Sequence, residues 1–278
     1  MAAKKEEPKK STALTKSSEL NDAALAELAE VSGAGFENQT REDITMPVIY
    51  LLQAISPQCE TVEGAKPGLM INSVTEELLT EFLFVPATTT HEFGEYVPRK
   101  LGGGFQGVHD INSPIVLKAK EEGEFGQYRV KKPDGTENEL IEYFNVFGVV
   151  CDEHEPLFMA VLRFKSTKIK VYRSYNTRLQ TCQIPRPGGK GRFTPPLFCS
   201  LAHITTRKEK NNRGEEYWNF VITPAVGNNV VSSLLPLSDP RVATAREVYR
   251  LVTENKVKTS YDEPQREPGE DDEVDGLF

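Results

Sequence analysis

Two segments of this chain carry side chains whose types and spacing could do chemistry. Across residues 161–220 there are 13 Lys and Arg against 3 acidic side chains. Phe164, Tyr172, Tyr175, Phe193, Phe198, Tyr217, Trp218 and Phe220 are interleaved with them. Cationic groups neutralise phosphates, and an aromatic face stacks on an unpaired base at about 1–3 kcal/mol per base. Together they offer the chemistry of single-stranded DNA binding. The candidate contact residues are Lys165, Lys168, Lys170, Tyr172, Arg173, Tyr175, Arg178, Arg186, Lys190, Arg192, Phe193, Lys208, Lys210, Arg213 and Trp218. As a strand, KIKVYR puts Lys168, Lys170 and Tyr172 on one face and Ile169 and Val171 on the other. The loop QIPRPGGKGRFTPP, residues 183–196, sets Arg186, Lys190, Arg192 and Phe193 on a Gly/Pro frame able to close over a bound strand. The plainer alternative is a solvated sheet face with its aromatics inside, and Phe164, Phe198 and Phe220 are expected in the core.

The second segment is the end of the chain, YDEPQREPGEDDEVDGLF, residues 261–278. Eight acids against one base, two prolines and few apolar residues predict a disordered tail. Yet it finishes on Leu277 and Phe278, where a merely solubilising tail needs no apolar pair. Asp271, Asp272, Glu273, Asp275, Leu277 and Phe278 are therefore the candidate partner-binding residues, a peptide that other proteins capture. Spaced negative charges and an aromatic also imitate a single strand, so the tail is expected to compete with DNA for the basic groove.

Other signals are weaker. GGG at 102–104 and RPGGKGRF at 186–193 lack the Gly-Lys-Ser/Thr of a P-loop. His91, His109, His154 and His203 stand far apart, none at metal-ligand spacing with a cysteine, so no metal is expected. CDEHE, residues 151–155, groups carboxylates with a histidine but lies between two strand patterns, as a polar turn does. No nucleophile motif occurs, and neither catalytic residues nor cofactors are expected.

These groups must be positioned by the rest of the chain. Its 278 residues, 38% hydrophobic, suffice to bury a core, and no apolar run is long enough to span a membrane. Four scattered cysteines, Cys59, Cys151, Cys182 and Cys199, with no secretory signal, suit a reduced cytoplasmic protein. The net charge of -8 conceals the basic block. Residues 1–17 are expected to be disordered, 18–258 to form one domain, and 259–278 to be the tail. A short helix is predicted over 18–31, with Leu25, Leu28 and Val31 on one face and Gly33 and Gly35 as stops. In DITMPVIYLLQAISP, a regular element is expected to begin near Pro47. Strands are predicted at 78–93, 114–120, 140–153, 157–166 and 168–175, then a hairpin around Asn211–Gly214. Asp239 and Pro240 open the clearest helix, with Val242, Ala245, Val248, Tyr249 and Val252 on one face.

The ending EDDEVDGLF resembles the acidic, Phe-terminated tails of bacteriophage and bacterial single-stranded DNA-binding proteins. DITMPVIYLLQAISP, GAKPGLMINSVT and FKSTKIKVYRSYNTRL are similar to a phage family of that role. The resemblance covers about Asp43 to Val252 and the tail. It implies a mainly β protein with flanking helices, an OB-fold-like five-stranded barrel with extensions. It also implies a role in phage DNA replication and recombination in the cytoplasm of the infected bacterium. The expected partners are single-stranded DNA and, through the tail, DNA polymerase and helicase or primase, with a homo-oligomer possible. The rivals are a strand-annealing recombination protein, a metal-dependent nuclease using CDEHE, and a virion or scaffold protein.

Overall fold

The run from Tyr143 to Cys151, apolar but for Asn145, is buried at every position, so both faces of that strand are covered. The computed structural model of the chain describes residues 22–32, 34–35, 45–123, 126–211, 214–254 and 257–259. The elements are α1 (Asp22–Glu30), β1 (Thr45–Met46), β2 (Val48–Leu51), α2 (Gln58–Thr61), β3 (Met70–Asn72), β4 (Leu78–Leu79), β5 (Phe82–Tyr96) and β6 (Phe105–Asp110). They continue with α3 (Pro114–Glu122), β7 (Tyr128–Lys131), β8 (Glu137–Cys151), β9 (Pro156–Phe164), α4 (Lys168–Thr181), β10 (Ile184–Pro185) and β11 (Arg192–Phe193). The last are β12 (Ala202–Lys210), β13 (Glu216–Pro224), α5 (Pro240–Thr253) and β14 (Lys258–Thr259). The protein is mainly β with flanking helices.

Ten strands form one sheet, in the order β13-β12-β5-β8-β9-β2-β3-β4, with β6 also on β5 and β7 also on β8. It curls into a half-barrel. The inner face carries Ile49, Phe84, Val146, Leu162, Phe164, Ile204 and Phe220, and Tyr172, Tyr175 and Leu179 of α4 pack among them. The outer face carries Val48, Val85, Phe147, Val149 and Val161, covered by Ala245 and Val248 of α5. Beyond the half-barrel, β5 and β8 run on as an arm flanked by β6 and β7, where α3 covers Phe93 and Leu140 with Val116 and Ala119.

The two sides of the curl are joined by a side chain. Buried Gln53, just past β2, donates from Nε2 to the Trp218 carbonyl (2.9 Å) and accepts at Oε1 from the Trp218 N–H (2.8 Å). The amide thus completes the hydrogen bonding of β13 where no strand does. Thr206 Oγ1 donates to the Gly68 carbonyl (2.7 Å) across the same seam. Gly68 has φ +92°, and a Cβ there would sit 2.7 Å from the Trp218 ring. Only glycine allows that approach.

Two segments expected as strands are helices. PIVLKAK (114–120) lies in α3: Ser113 caps it by accepting from Val116 N, Pro114 opens it, and Val116 and Ala119 face the arm. KIKVYRSY (168–175) opens α4, whose buried residues Lys168, Tyr172, Tyr175 and Leu179 follow the helical period. The alternation over six residues was local, whereas burial is set over fourteen. The segment around Pro47 is extended, as β1 and β2. The hairpin at Asn211–Gly214 and helix α5 lie where expected. In α5, however, Tyr249 is exposed and Leu251 is buried. Leu28 of α1 and Val31 just beyond it are exposed.

A buried carboxylate organises the arm. Glu95, 4% exposed, accepts from Lys132 Nζ (2.5 Å), Asn138 Nδ2 (2.5 Å) and His109 Nε2 (2.7 Å). Burial pushes its carboxyl up, but the hydrogen bonds and the Lys132 charge outweigh it and hold it below the ordinary value. A depressed folded-state value contributes stability above about pH 4.3, the unfolded glutamate range, lost as pH falls through the folded value. Glu95→Gln is expected to cost about 2 kcal/mol at pH 7 and to flatten the loss of stability below about pH 4.3, both read by urea unfolding. Gln53→Leu, which strands two buried backbone groups of β13, is expected to cost about 2–4 kcal/mol in the same measurement.

Candidate nucleic-acid interface

Helix α4 divides the basic block. Its inner stripe belongs to the core: the Tyr172 ring stacks on Phe144 at 4.7 Å between centroids and lies 5.7 Å from Phe164. Burial raises the Tyr175 hydroxyl well above its ordinary value. Tyr172 and Tyr175 therefore do not present rings to a base, and Lys168 is buried, as is Lys165 just before the helix. The turn of the helix points Lys168, Tyr172 and Tyr175 inward, and Lys165 is buried in the link from β9 to α4, so these four expected contacts are corrected.

The outer stripe is different. Lys170, Arg173 and Arg178 are exposed, with the small polar Ser174 and Thr177 between them. Spacings of three and five residues keep the three cations on one side of the helix. Arg173 leans over Phe144 (5.6 Å to the centroid) and reaches Glu142 Oε2 at 3.9 Å. Glu142 also pairs with His91 Nε2 at 2.7 Å, and the His91 ring stacks on Phe144 at 4.0 Å. This anchorage was not foreseen, because its members lie on strands far from α4 in the chain.

A small hairpin extends the outer stripe. In β10 and β11, Ile184 pairs with Phe193 and Pro185 with Arg192. The turn between them closes through Arg186 N to Gly191 O and Gly189 N to Arg186 O, both 3.1 Å. Its Gly188, Gly189 and Gly191 have φ of +85°, +77° and +82°, which is why the frame is glycine. Arg186, Lys190 and Arg192 are exposed on this finger. The Arg186 guanidinium lies 5.5 Å from the half-buried Phe193 ring, while Arg192 donates to Gln183 O at 3.0 Å. Thr194 Oγ1 donates to Gln180 O (3.4 Å), tying the finger to the last turn of α4. Between Glu155 and Glu209 the chain has no carboxylate side chain. The six exposed cations of α4 and the finger are therefore accompanied by no acid from their own segment.

The β12–β13 hairpin is basic in sequence but paired in space. Arg207 bonds Glu209, Lys208 bonds Glu216, and Lys210 reaches Glu216 at 3.6 Å. Burial raises the Glu209 carboxyl, but hydrogen bonds from Asn219, Arg207 and Tyr217 bring it below its ordinary value. Lys208 holds that of Glu216 down as well. Trp218 is committed to the seam against Gly68. Arg213 lies outside the described residues, as do Asp271, Asp272, Glu273, Asp275, Leu277 and Phe278.

CDEHE is a turn between β8 and β9. Asp152 Oδ1 accepts from the N–H groups of His154 and Glu155, both at 2.7 Å, and these bonds lower its carboxyl. Arg241, held by Asp239 at 2.7 Å, donates to the Glu153 carbonyl at 2.7 Å. Burial pushes the neighbouring Cys151 thiol up to about 12. Among the described residues no three His, Cys, Asp or Glu side chains gather as a metal site, and no helix is long and apolar enough to cross a membrane.

With the geometry in place, the comparison with known families is decisive on one point. The model of the Pam3 phage gp34-like protein family matches residues 11–258. The chain belongs to that family. No curated protein and no solved structure matches it. The gp34-like match takes in α4, the finger and every strand of the half-barrel, and it ends before the tail segment 261–278. The match therefore bears out a phage protein family, without the expected single-stranded DNA-binding role.

Among the described residues, the buried hydroxyl of Tyr175 has no hydrogen-bond partner. Tyr175→Phe is expected to leave stability unchanged or raise it by about 1 kcal/mol, read from the urea midpoint. A loss of that size would show that the hydroxyl is satisfied.

Proposed function

We propose that this protein binds single-stranded DNA without sequence preference, through the outer face of α4 and the β10–β11 finger, and catalyses no reaction. The observation that carries the proposal is the placement of six exposed cations, Lys170, Arg173, Arg178, Arg186, Lys190 and Arg192, on two joined elements of a segment without carboxylates. The rest of the chain is acidic enough to give a net charge of -8. A basic face on an acidic body neutralises a phosphate backbone locally, while the body repels duplex wrapping and non-specific crowding. Phe193, beneath Arg186, is the ring left in position to stack on a base. The acidic tail is proposed to compete with DNA for this face and, once displaced, to offer Leu277 and Phe278 to proteins of DNA replication such as a polymerase, helicase or primase. A phage role in replication and recombination, within the infected bacterial cytoplasm, accompanies this proposal.

Titrating salt against binding to single- and double-stranded oligonucleotides tests it. With about six phosphates contacted, the slope of log affinity on log salt is expected near -4 for the single strand. Lys170→Glu with Arg178→Glu is expected to weaken binding at least about tenfold and to flatten that slope by about 1.4. Lys208→Glu is expected to change it less, since Lys208 is already paired with Glu216. Equal affinity for both forms of DNA would end the proposal. Deleting residues 261–278 is expected to tighten DNA binding; unchanged affinity would remove the competition from it.

A further inference from the structure

One carboxylate from outside the basic segment reaches its cations. Among the described residues, no acid pairs with Lys170, Arg178, Arg186, Lys190 or Arg192, whereas Glu142 of β8 stands 3.9 Å from Arg173. Strand alternation explains how a residue of β8 comes to lie there. Glu142 and Phe144 share the inner face, on which His91 of β5 lies opposite Phe144. Helix α4 packs on that face with Tyr172 stacked on Phe144, and Arg173, the next residue, reaches over the same ring to Glu142.

The carboxylate is held from behind. His91 Nε2 bonds its Oε1 at 2.7 Å, and stacking on Phe144 fixes the His91 ring, so Oε2 is left turned toward Arg173. At 3.9 Å the contact is one of charge rather than a hydrogen bond, and it does not saturate the five N–H groups of a guanidinium. Such a contact has two opposed effects on a phosphate that approaches Arg173. It orders the side chain in advance, and it sets one negative charge beside another. The Phe144 ring, 5.6 Å from the guanidinium, already steadies Arg173 without any charge of its own. Loss of the carboxylate therefore costs little order and removes the repulsion.

We propose that Glu142 is a built-in counter-ion that competes with phosphate for Arg173 and so limits the affinity of the α4 face for single-stranded DNA. This rests on the DNA-binding reading above and names a restraint on that same face, one that belongs to the folded sheet and not to the tail.

Fluorescence anisotropy of a labelled single-stranded oligonucleotide, with the full chain titrated at about 50 mM salt, tests it. Glu142→Gln keeps a carbonyl for His91 and loses the charge. It is expected to bind about threefold more tightly than the native chain and to steepen the slope of log affinity on log salt by up to about 0.7. Glu155→Gln removes the same net charge from the exposed turn between β8 and β9 and is expected to gain much less. In an Arg173→Gln background, Glu142→Gln is expected to give less than half of its gain, because the competed cation is gone. Arg173→Gln by itself is expected to cost less affinity than Arg178→Gln, a comparison that decides the matter even if Glu142→Gln fails to fold. A native chain that does not bind the single strand would end the DNA-binding reading and this inference together. A native chain that binds, with Glu142→Gln no tighter than Glu155→Gln, equally tightened without Arg173, or with Arg173→Gln as costly as Arg178→Gln, would overturn the counter-ion alone.

Discussion

The pair of hydrogen bonds between Gln53 and the Trp218 backbone is the constraint on which the architecture rests. A twisted sheet of this length has two edges that drift past each other, and a curl must be held or filled to persist. Here it is both. The Gln53 amide, with its donor and acceptor side by side, substitutes for one residue of strand pairing and holds β13 against the end of β2. Gly68 lets the Trp218 ring close beside it. The space so enclosed is then wide enough to need a helix, and α4 supplies Tyr172, Tyr175 and Leu179 to fill it.

That packing also creates the basic surface. A helix filling the half-barrel with one stripe must turn the opposite stripe to solvent, and in α4 that stripe carries Lys170, Arg173 and Arg178. The polar stripe cannot be altered in position without altering the core, since both belong to one rigid element. Elsewhere the chain cancels its cations: Glu209 and Glu216 neutralise the β12–β13 hairpin, and Glu95 neutralises Lys132 in the arm. Charge density alone therefore overstated the reach of the basic block. What distinguishes α4 and the finger is the absence of acids nearby in the chain, not the number of bases.

Much of the fold was legible where signals were local. Asp239-Pro240 with period-spaced apolar residues announced α5, the β-branched and aromatic run announced β8, and the Asn211–Gly214 turn announced the hairpin. The helices α3 and α4 were misread because Ile115–Val116 and Ile169–Val171 look like strand residues over a short window. The decisive period appears only with Leu179, eleven residues beyond Lys168. The seam was illegible for another reason: its two residues are 165 positions apart. At the candidate interface, the finger and the outer cations of α4 are exposed as their sequence suggested, whereas reading 168–175 as a strand put Lys168, Tyr172 and Tyr175 on the wrong side, and Lys165 is buried ahead of the helix. Residue type reported the chemistry, but only the helix period reported which side of it faces water.

The short parallel ladder between β1 and β14 has a consequence for the chain beyond it. Lys258 and Thr259 are held beside Thr45 and Met46, and Met46 and Val257 pack with α5 on the outer side of the sheet. Lys258 and Thr259, the last described residues, thus lie on the side of the sheet opposite α4. Fully extended, the last eighteen residues span at most about 60 Å, enough to pass round the rim of a small domain but with little slack. Tethered competition of this kind is governed by effective concentration, which depends steeply on how nearly the tether matches the path. In the proposed competition, the place of Lys258 and Thr259, rather than the acidic end, sets how hard the tail competes.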